Sequence, residues 1–198
     1  VGAYDSLSST RARYYEANAF ADIFATATRA PNDLVANIAA IPGVAVAEGR
    51  ITEPALLDLD DMAQPGSALL VSLPDLRPQA LDKIYMRTGR LPQPESEDEV
   101  VINEPFALAH HFGPGASFRV LMNGTLRTVR VTGIALSPEF IYAQGPGDIL
   151  PDPSRFGILW MSEKTLAAAY NLKGAFSSLQ VKLITGASQD DVIQAIDA

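Results

Sequence analysis

The chain has 198 residues, 47% of them hydrophobic, which is enough to bury a sizeable core in one domain or two small lobes. A formal charge of −8 and the lack of any Lys- or Arg-rich run exclude a nucleic-acid surface, which needs clustered cations. Because the chain has no cysteine, disulfides, thiolate metal sites and a cysteine nucleophile are excluded as well.

Residues 1–18 predict an exposed, stalk-like helix. They are mostly polar and helix-tolerant, with aromatic residues near helical spacing. Tyr4, Tyr14 and Tyr15 belong to a residue type that favours membrane interfaces. We expect this helix to continue a transmembrane helix into the aqueous phase and to act as a lever.

The next segment predicts the order strand, helix, strand, strand. Residues 20–28 alternate along a strand, and the helix after them is expected to end at Pro42-Gly43. Residues 44–59 and 67–73 predict two paired strands, with turn residues between them.

Residues 87–134 have the pattern of a small β module. The segment Gly89-Arg-Leu-Pro92 leads through acidic residues 95–99, interpreted as an exposed linker, into Glu99-Val-Val-Ile-Asn103. A turn at Gly113-Pro-Gly115 and an Asn123-Gly124 turn then separate alternating strands, the second of which ends in Val131-Thr-Gly-Ile134.

The last third predicts strand, helix, strand, helix. Residues 156–161 form an apolar strand in which Trp160 is expected in the core, and Ser162 caps the helix that follows. Residues 177–184 alternate as a strand, and Ser188 opens the last helix. The pattern favours an α+β fold with two lobes. Residues 19–75 and 154–198 form one split lobe, and a β-rich lobe over residues 76–153 is inserted in it.

No residue pattern predicts catalysis, a metal or a cofactor. His110 and His111 are adjacent and so cannot face one metal together, and Asp58, Asp60 and Asp61 lack the other ligands of a calcium loop. No phosphate-binding Gly-rich loop ending in Lys and Ser or Thr occurs, and no nucleophile turn is recognisable. A secreted hydrolase is therefore a distant alternative.

The long loop over residues 137–153 permits two interpretations. It packs its own aromatic residues across the two lobes, or it docks a partner, since loops of this length are often functional. In the second case Phe140, Tyr142, Ile149 and Leu150 are the apolar anchors.

In their order and spacing, these motifs resemble the extracytoplasmic domain of MacB-type and FtsX-type ABC transporter permeases. The β module is similar to the family's "GR…P…EVVI" segment and the hairpin after it, and Ile38-Ala-Ala-Ile-Pro-Gly-Val44 is similar to the family's "IxxIPGV". The resemblance implies a porter-like lobe assembled from both ends of the segment, with a smaller β-rich lobe inserted. It covers most of the chain.

The resemblance also implies a function. The whole chain of residues 1–198 would be one non-catalytic domain on the periplasmic or extracellular side of the inner (plasma) membrane. It would be anchored by transmembrane helices and would pass ATP-driven motion to a periplasmic protein or lipid-like substrate. A separate cytoplasmic subunit would bind and hydrolyse ATP. The resemblance is compatible with a homodimer in the membrane but does not decide the oligomeric state. The alternative is a module that captures a lipid, peptide or lipoprotein between its lobes.

Overall fold

The structure, a computed structural model, describes residues 19–140, 145–146 and 148–198. The predicted stalk-like helix over residues 1–18 lies outside the described residues. The helices are α1 (Asp33–Ala39), α2 (Glu104–His110), α3 (Glu163–Ala169) and α4 (Gln189–Asp197), and Pro138–Phe140 forms a 3₁₀ turn. The strands are β1 (Ile23–Pro31), β2 (Val44–Arg50), β3 (Thr52–Asp58), β4 (Gly66–Leu73), β5 (Tyr85–Gly89), β6 (Glu99–Asn103), β7 (Ser117–Met122), β8 (Thr125–Leu136), β9 (Phe156–Ser162) and β10 (Ala175–Leu183).

The mixture of helices and sheets confirms the predicted α+β class. None of the helices in the described part of the chain is long and apolar enough to cross a membrane. Two predicted helix caps are present. Ser162 Oγ accepts from Thr165 N at 3.3 Å at the start of α3, and Ser188 Oγ accepts from Asp191 N at 3.3 Å at the start of α4.

The smaller sheet is antiparallel and has the strand order β1-β10-β2. Helices α1 and α4 contribute Ile38 and Val192 to the apolar cluster that it buries on one face. Leu179 and Val181 of the central strand belong to the same cluster. The opposite face carries polar side chains, which meet the rest of the molecule.

The larger sheet has seven strands in the order β5-β8-β6-β9-β4-β3-β7, and β7 also pairs with β8. Six of its strands therefore close into a ring, and β5 is added outside it. The predicted Asn123-Gly124 turn joins β7 to β8, with Met122 opposite Thr125. Each of the six ring strands is paired on both sides over part of its length, and such pairing reduces the free edges that favour aggregation.

The ring encloses the largest apolar cluster of the described residues. Leu70, Val100, Ile102 and Leu159 are fully buried in it, together with Phe106 from α2. A second cluster on the outer side of the sheet contains Trp160, which is 1% exposed. The prediction that Trp160 is a core residue is confirmed.

The strands divide between the two sheets differently from the predicted division between lobes. Strands β3, β4 and β9 were predicted in the porter-like lobe, but they pair within the larger sheet. Residues 44–59 were predicted as one strand with Pro54 as its candidate interruption, whereas the break lies at Ile51 and β2 and β3 lie in different sheets. Alternation reports burial but not the pairing partner. The assignment of residues to lobes, as distinct from sheets, stays a prediction.

Candidate functional site

The candidate site is the junction between the two sheets. Gln180 in the middle of β10 lies opposite Phe24 on one side and Glu48 on the other, and Ser178 lies opposite Arg50. Glu48, Arg50 and Gln180 are each at most 7% exposed, although they are charged or strongly polar. Burial of such groups is costly unless each one has a partner, so their contacts define the junction.

Arg50 joins the smaller sheet to the 3₁₀ turn. Its Nη1 donates to Glu139 Oε2 at 2.8 Å, and its Nη2 donates to Glu139 Oε1, so the pair is bidentate. The two side chains are only 8% and 14% exposed. The guanidinium also lies 5.9 Å from the ring centroid of Phe140, within cation–π range. A planar, bidentate pair of this kind fixes orientation as well as distance.

Gln180 extends this contact to a second buried acid. With its amide oriented to satisfy both neighbours, its oxygen accepts from Arg50 Nε at 2.7 Å and its nitrogen donates to Asp82 Oδ2 at 2.6 Å. Asp82 Oδ1 in turn accepts from Ala21 N at 3.1 Å. We call Glu139, Arg50, Gln180 and Asp82 the junction network.

Glu48 fastens a further segment to the smaller sheet. Its carboxylate accepts from Arg77 Nη1 at 2.6 Å, from Ala80 N at 2.9 Å and from Leu81 N at 3.2 Å. The irregular chain between β4 and β5 is thereby attached to β2. Buried carboxylates that accept several bonds hold the donor segment in one place.

Burial raises the pKa of the Asp82 carboxyl to about 6, and the negative charges of Glu139 and Glu48 add to this effect. The bond from Ala21 N and the positive charge of Arg50 oppose it. Asp82 is 2% exposed. Its protonation state therefore changes near neutral pH inside the junction.

Within the described residues, the chain crosses between the sheets at two places. At Ile51, between β2 and β3, Ile51 N donates to Ser72 Oγ at 2.8 Å and Ser72 N donates to Ile51 O at 2.9 Å. The second crossing lies between α3 and β10, at residues 170–174. The Pro-containing segments 73–81 and 150–156 each lie between two strands of the larger sheet.

A polar cleft runs beside the junction. One depression of about 520 Å³ lies between Val35 and Ala47 on one side and Ala80 and Glu163 on the other. A second, of about 480 Å³, shares Glu163 and continues towards Ala175. Burial raises the pKa of the Glu163 carboxyl, with Asp75 and Glu48 adding to the effect and Arg77 opposing it. The cleft suits a polar ligand better than a lipid chain.

The predicted docking residues occupy different environments. Phe140 is half-buried and packs against Trp160 at 6.2 Å between ring centroids. Ile149 and Leu150 are 92% and 75% exposed. Tyr142 lies outside the described residues. The structure therefore places Phe140 beside the junction and the two aliphatic residues on the surface.

The other candidate side chains form structural contacts. His110 is buried, with Nδ1 at 2.6 Å from Asp61 Oδ2 and Nε2 at 2.7 Å from Ser154 O. Asp58 pairs with Arg119 at 2.6 Å. Within the described residues, no group of three or more His, Asp or Glu side chains could hold a metal.

The prediction of an exposed acidic linker is wrong for Glu99, which is 4% exposed. It accepts from Arg90 and from Arg130, each at 2.7 Å, and from Gln93 N at 2.8 Å. These bonds lower the pKa of the Glu99 carboxyl to about 2, with the Arg90 bond as the largest cause. The carboxylate thus holds the Gly89-Arg-Leu-Pro92 segment against β8.

Comparison with solved structures finds similar folds. The extracellular domain of the noncanonic ABC-type transporter YknZ, from Gram-positive bacteria, is similar with a TM-score of 0.51 at 12% identity, over 85% of this chain and 79% of that one. The fold is similar to that of an ABC transporter extracellular domain. The resemblance predicted from the sequence motifs is confirmed at the level of the fold.

Two further solved structures are similar over most of the chain. The periplasmic region of MacB from Actinobacillus actinomycetemcomitans has a TM-score of 0.47 at 12% identity, over 84% of this chain and 70% of that one. A domain of a protein described as a permease, from Porphyromonas gingivalis, has a TM-score of 0.42 at 19% identity, over 79% and 69%. No protein-family model matches the sequence, and no curated protein matches it.

Proposed function

We propose that this chain is the extracytoplasmic domain of an ABC transporter permease and that it transmits motion. It has no catalytic role of its own. Transmembrane helices of the parent protein anchor it, on the periplasmic or extracellular side of the inner (plasma) membrane, and a separate cytoplasmic subunit supplies the energy of ATP. The similarity in fold to the YknZ extracellular domain supports the placement.

The junction network is the observation that supports mechanical transmission. A domain that transmits force must not absorb it by bending between its parts. Here Arg50 and Gln180 of the smaller sheet connect to Glu139 and Asp82 through bonds of 2.6 to 2.8 Å. Movement of one sheet would have to break buried, charge-assisted bonds before it left the other behind.

Ile149 and Leu150 are the proposed contacts to a periplasmic partner, with Phe140 and Tyr142 in the same loop. The two are adjacent and strongly exposed, and large apolar side chains dominate the energy of an interface when they are buried in it. Phe140 would act by stiffening the base of the loop against Trp160.

Spin-label distances in the whole transporter test the proposal. Because the chain has no cysteine, Thr28→Cys on the smaller sheet and Thr125→Cys on the ring hairpin add two defined labelling sites to it. We expect the distance between the labels to stay the same in nucleotide-free and ATP-trapped transporter, while Arg50→Met broadens it. A label distance that changes with nucleotide in the transporter that retains Arg50 would contradict rigid transmission. Sequencing the gene on both sides of this chain tests the membrane placement. Translated flanks without an apolar segment of about 20 residues would contradict it.

A binding module is the second candidate, and the polar cleft beside Glu163 favours it. Its depressions of about 520 and 480 Å³ are large enough for a few residues of a peptide. This function predicts that the same label distance shortens when a peptide substrate is added and does not respond to nucleotide.

A further inference from the structure

Strand β5 presents a free edge beside the closed ring. It pairs with β8 on one side, and within the described residues no strand pairs with its other side. Tyr85, Arg87, Thr88 and Gly89 are all exposed. A free edge carries a row of backbone N–H and C=O groups, which another extended chain can satisfy.

The smaller sheet also has two edge strands, β1 and β2. Strand β2 is tied to the segment before β5 through Glu48, which accepts from Ala80 N and Leu81 N. The register of β1 shifts between Thr26 and Ala30, and that of β5 shifts between Met86 and Thr88, so both of these edges carry an irregularity. Strand β5 is the candidate edge because of the apolar depressions and the cations beside it.

Two mainly apolar depressions, together called the groove, lie beside β5 and are lined mostly by the segments that flank it. One depression of about 240 Å³ is lined by Ile84, Met86 and Leu91, which precede, belong to and follow the strand. A second, of about 410 Å³, shares Leu91 with it and extends to Leu76, which is 88% exposed. Alternate side chains of an added strand would point to the same face and could fill these depressions.

The edge is also basic, in a chain whose net charge is −8. Residues 83–91 contain three cations and no acid. Arg87 pairs with Glu104, and Arg90 shares Glu99 with Arg130, so two guanidiniums meet one carboxylate there. Within the described residues, Lys83 has no acidic partner within 4.0 Å. The charge around the strand favours an acidic ligand.

We propose that the free edge of β5 binds an extended, acidic segment of a partner protein as an added strand, with alternate apolar side chains in the groove. The row of backbone groups selects a peptide over a lipid, because a lipid cannot satisfy it. The basic residues select acidic flanks. This site shares no residue with the junction network, and the proposal does not depend on whether the domain transmits motion.

Fluorescence anisotropy with a labelled peptide tests the site on the 198-residue chain. The probe is acetyl-Glu-Leu-Glu-Val-Glu-Leu-Glu-amide, and we expect saturable binding that weakens with added salt. Methylation of alternate peptide nitrogens should weaken binding about tenfold or more, because the backbone bonds are lost. Equal binding of the methylated peptide, or of a version with Lys in place of Glu, would overturn the proposal.

Two variants locate the site, each with a matched control. Lys83→Glu should weaken binding about tenfold, whereas Lys173→Glu, an equal charge change at a distant exposed lysine, should not. Leu91→Ser should weaken binding about threefold or more, whereas Leu108→Ser, at another exposed leucine, should not. Circular dichroism checks that all four remain folded. Equal losses of peptide affinity in a variant and its control would overturn the strand-addition site. Binding of the chain to vesicles of anionic lipid but not to the peptide would overturn it as well.

Discussion

The two sheets are held in place by different chemistry. The closed ring is filled by apolar side chains such as Val100, Ile102 and Leu159, each fully buried. The smaller sheet has one apolar face, while its other face buries Arg50 and Gln180 among charged partners. Apolar burial is non-directional, whereas charge-assisted hydrogen bonds hold in one geometry. The ring therefore supplies most of the stability, and the junction fixes the orientation of the smaller sheet.

The largest expected effect comes from a cavity in the ring. Leu159→Ala should lower the free energy of unfolding by about 4 kcal/mol, because a fully buried leucine loses both its transfer energy and its packing. Leu179→Ala is the matched change in the smaller sheet, at 3% exposure, and should cost about 3 kcal/mol. Urea unfolding followed by circular dichroism and by the fluorescence of the single Trp measures both.

The shape of those transitions tests the comparison. Because the junction network couples the sheets, both variants should show one transition, shifted to lower urea, with the two probes coincident. A separate early transition in Leu179→Ala that Trp160 fluorescence does not detect would show that the sheets unfold independently. The junction would then be too weak to transmit force.

The next largest effect is at the junction itself. Arg50→Met should cost about 3 kcal/mol, because Glu139 and the Gln180 amide lose a buried partner. Arg50→Met combined with Glu139→Gln should cost less than the two single changes added together, since the second change removes the orphaned charge. A double-mutant cycle by thermal unfolding measures the coupling. Losses of stability that simply add would mean that the ion pair contributes little. The control is Arg130→Met, which removes a half-exposed arginine from a different ion pair.

Local signals in the sequence predicted the elements better than their arrangement. The Ser162 and Ser188 caps and the Asn123-Gly124 turn depend on residues within a few positions, and all three are present. The core position of Trp160 follows from an apolar run and is also confirmed. The fold class and the family resemblance could be predicted for the same reason, because both depend on the order and spacing of such local motifs.

The junction could not be predicted in this way. Arg50 and Glu139 are 89 positions apart, and Glu48, Arg50 and Gln180 lie in alternating strands, where charged residues ordinarily face solvent. The same assumption made Glu99 an exposed linker residue. The one available signal was that Glu48 and Arg50 flank a glycine inside a strand. A glycine there is consistent with a strand buried on both faces, but it does not indicate which segments pack against Glu48 and Arg50.

The smallest expected effect is the pH dependence, and here the two regions should respond with opposite signs. The pKa of Asp82 at the junction is raised to about 6, so its contribution to stability is present at pH 4 and lost as the pH rises through 6. A shift of about two pKa units corresponds to about 3 kcal/mol, of which the Gln180 amide bond offsets part, leaving about 2 kcal/mol. Glu99, whose pKa is lowered to about 2, stabilises the ring above about pH 4.5, and that contribution is lost as the pH falls towards 2.

Chemical unfolding between pH 3 and pH 8 separates the two contributions. Asp82→Asn should flatten the decline in the free energy of unfolding between pH 4 and pH 7, because an amide does not titrate. It should leave the loss of stability below pH 4.5, which is due to Glu99, unchanged. Asp190→Asn, at an exposed acid in the first turn of α4, is the control. Because Arg90 and Arg130 are each about half exposed, solvent screening should hold the Glu99 contribution to about 1 kcal/mol. A decline between pH 4 and pH 7 that persists in Asp82→Asn would assign it to another group and would remove the junction from the pH response.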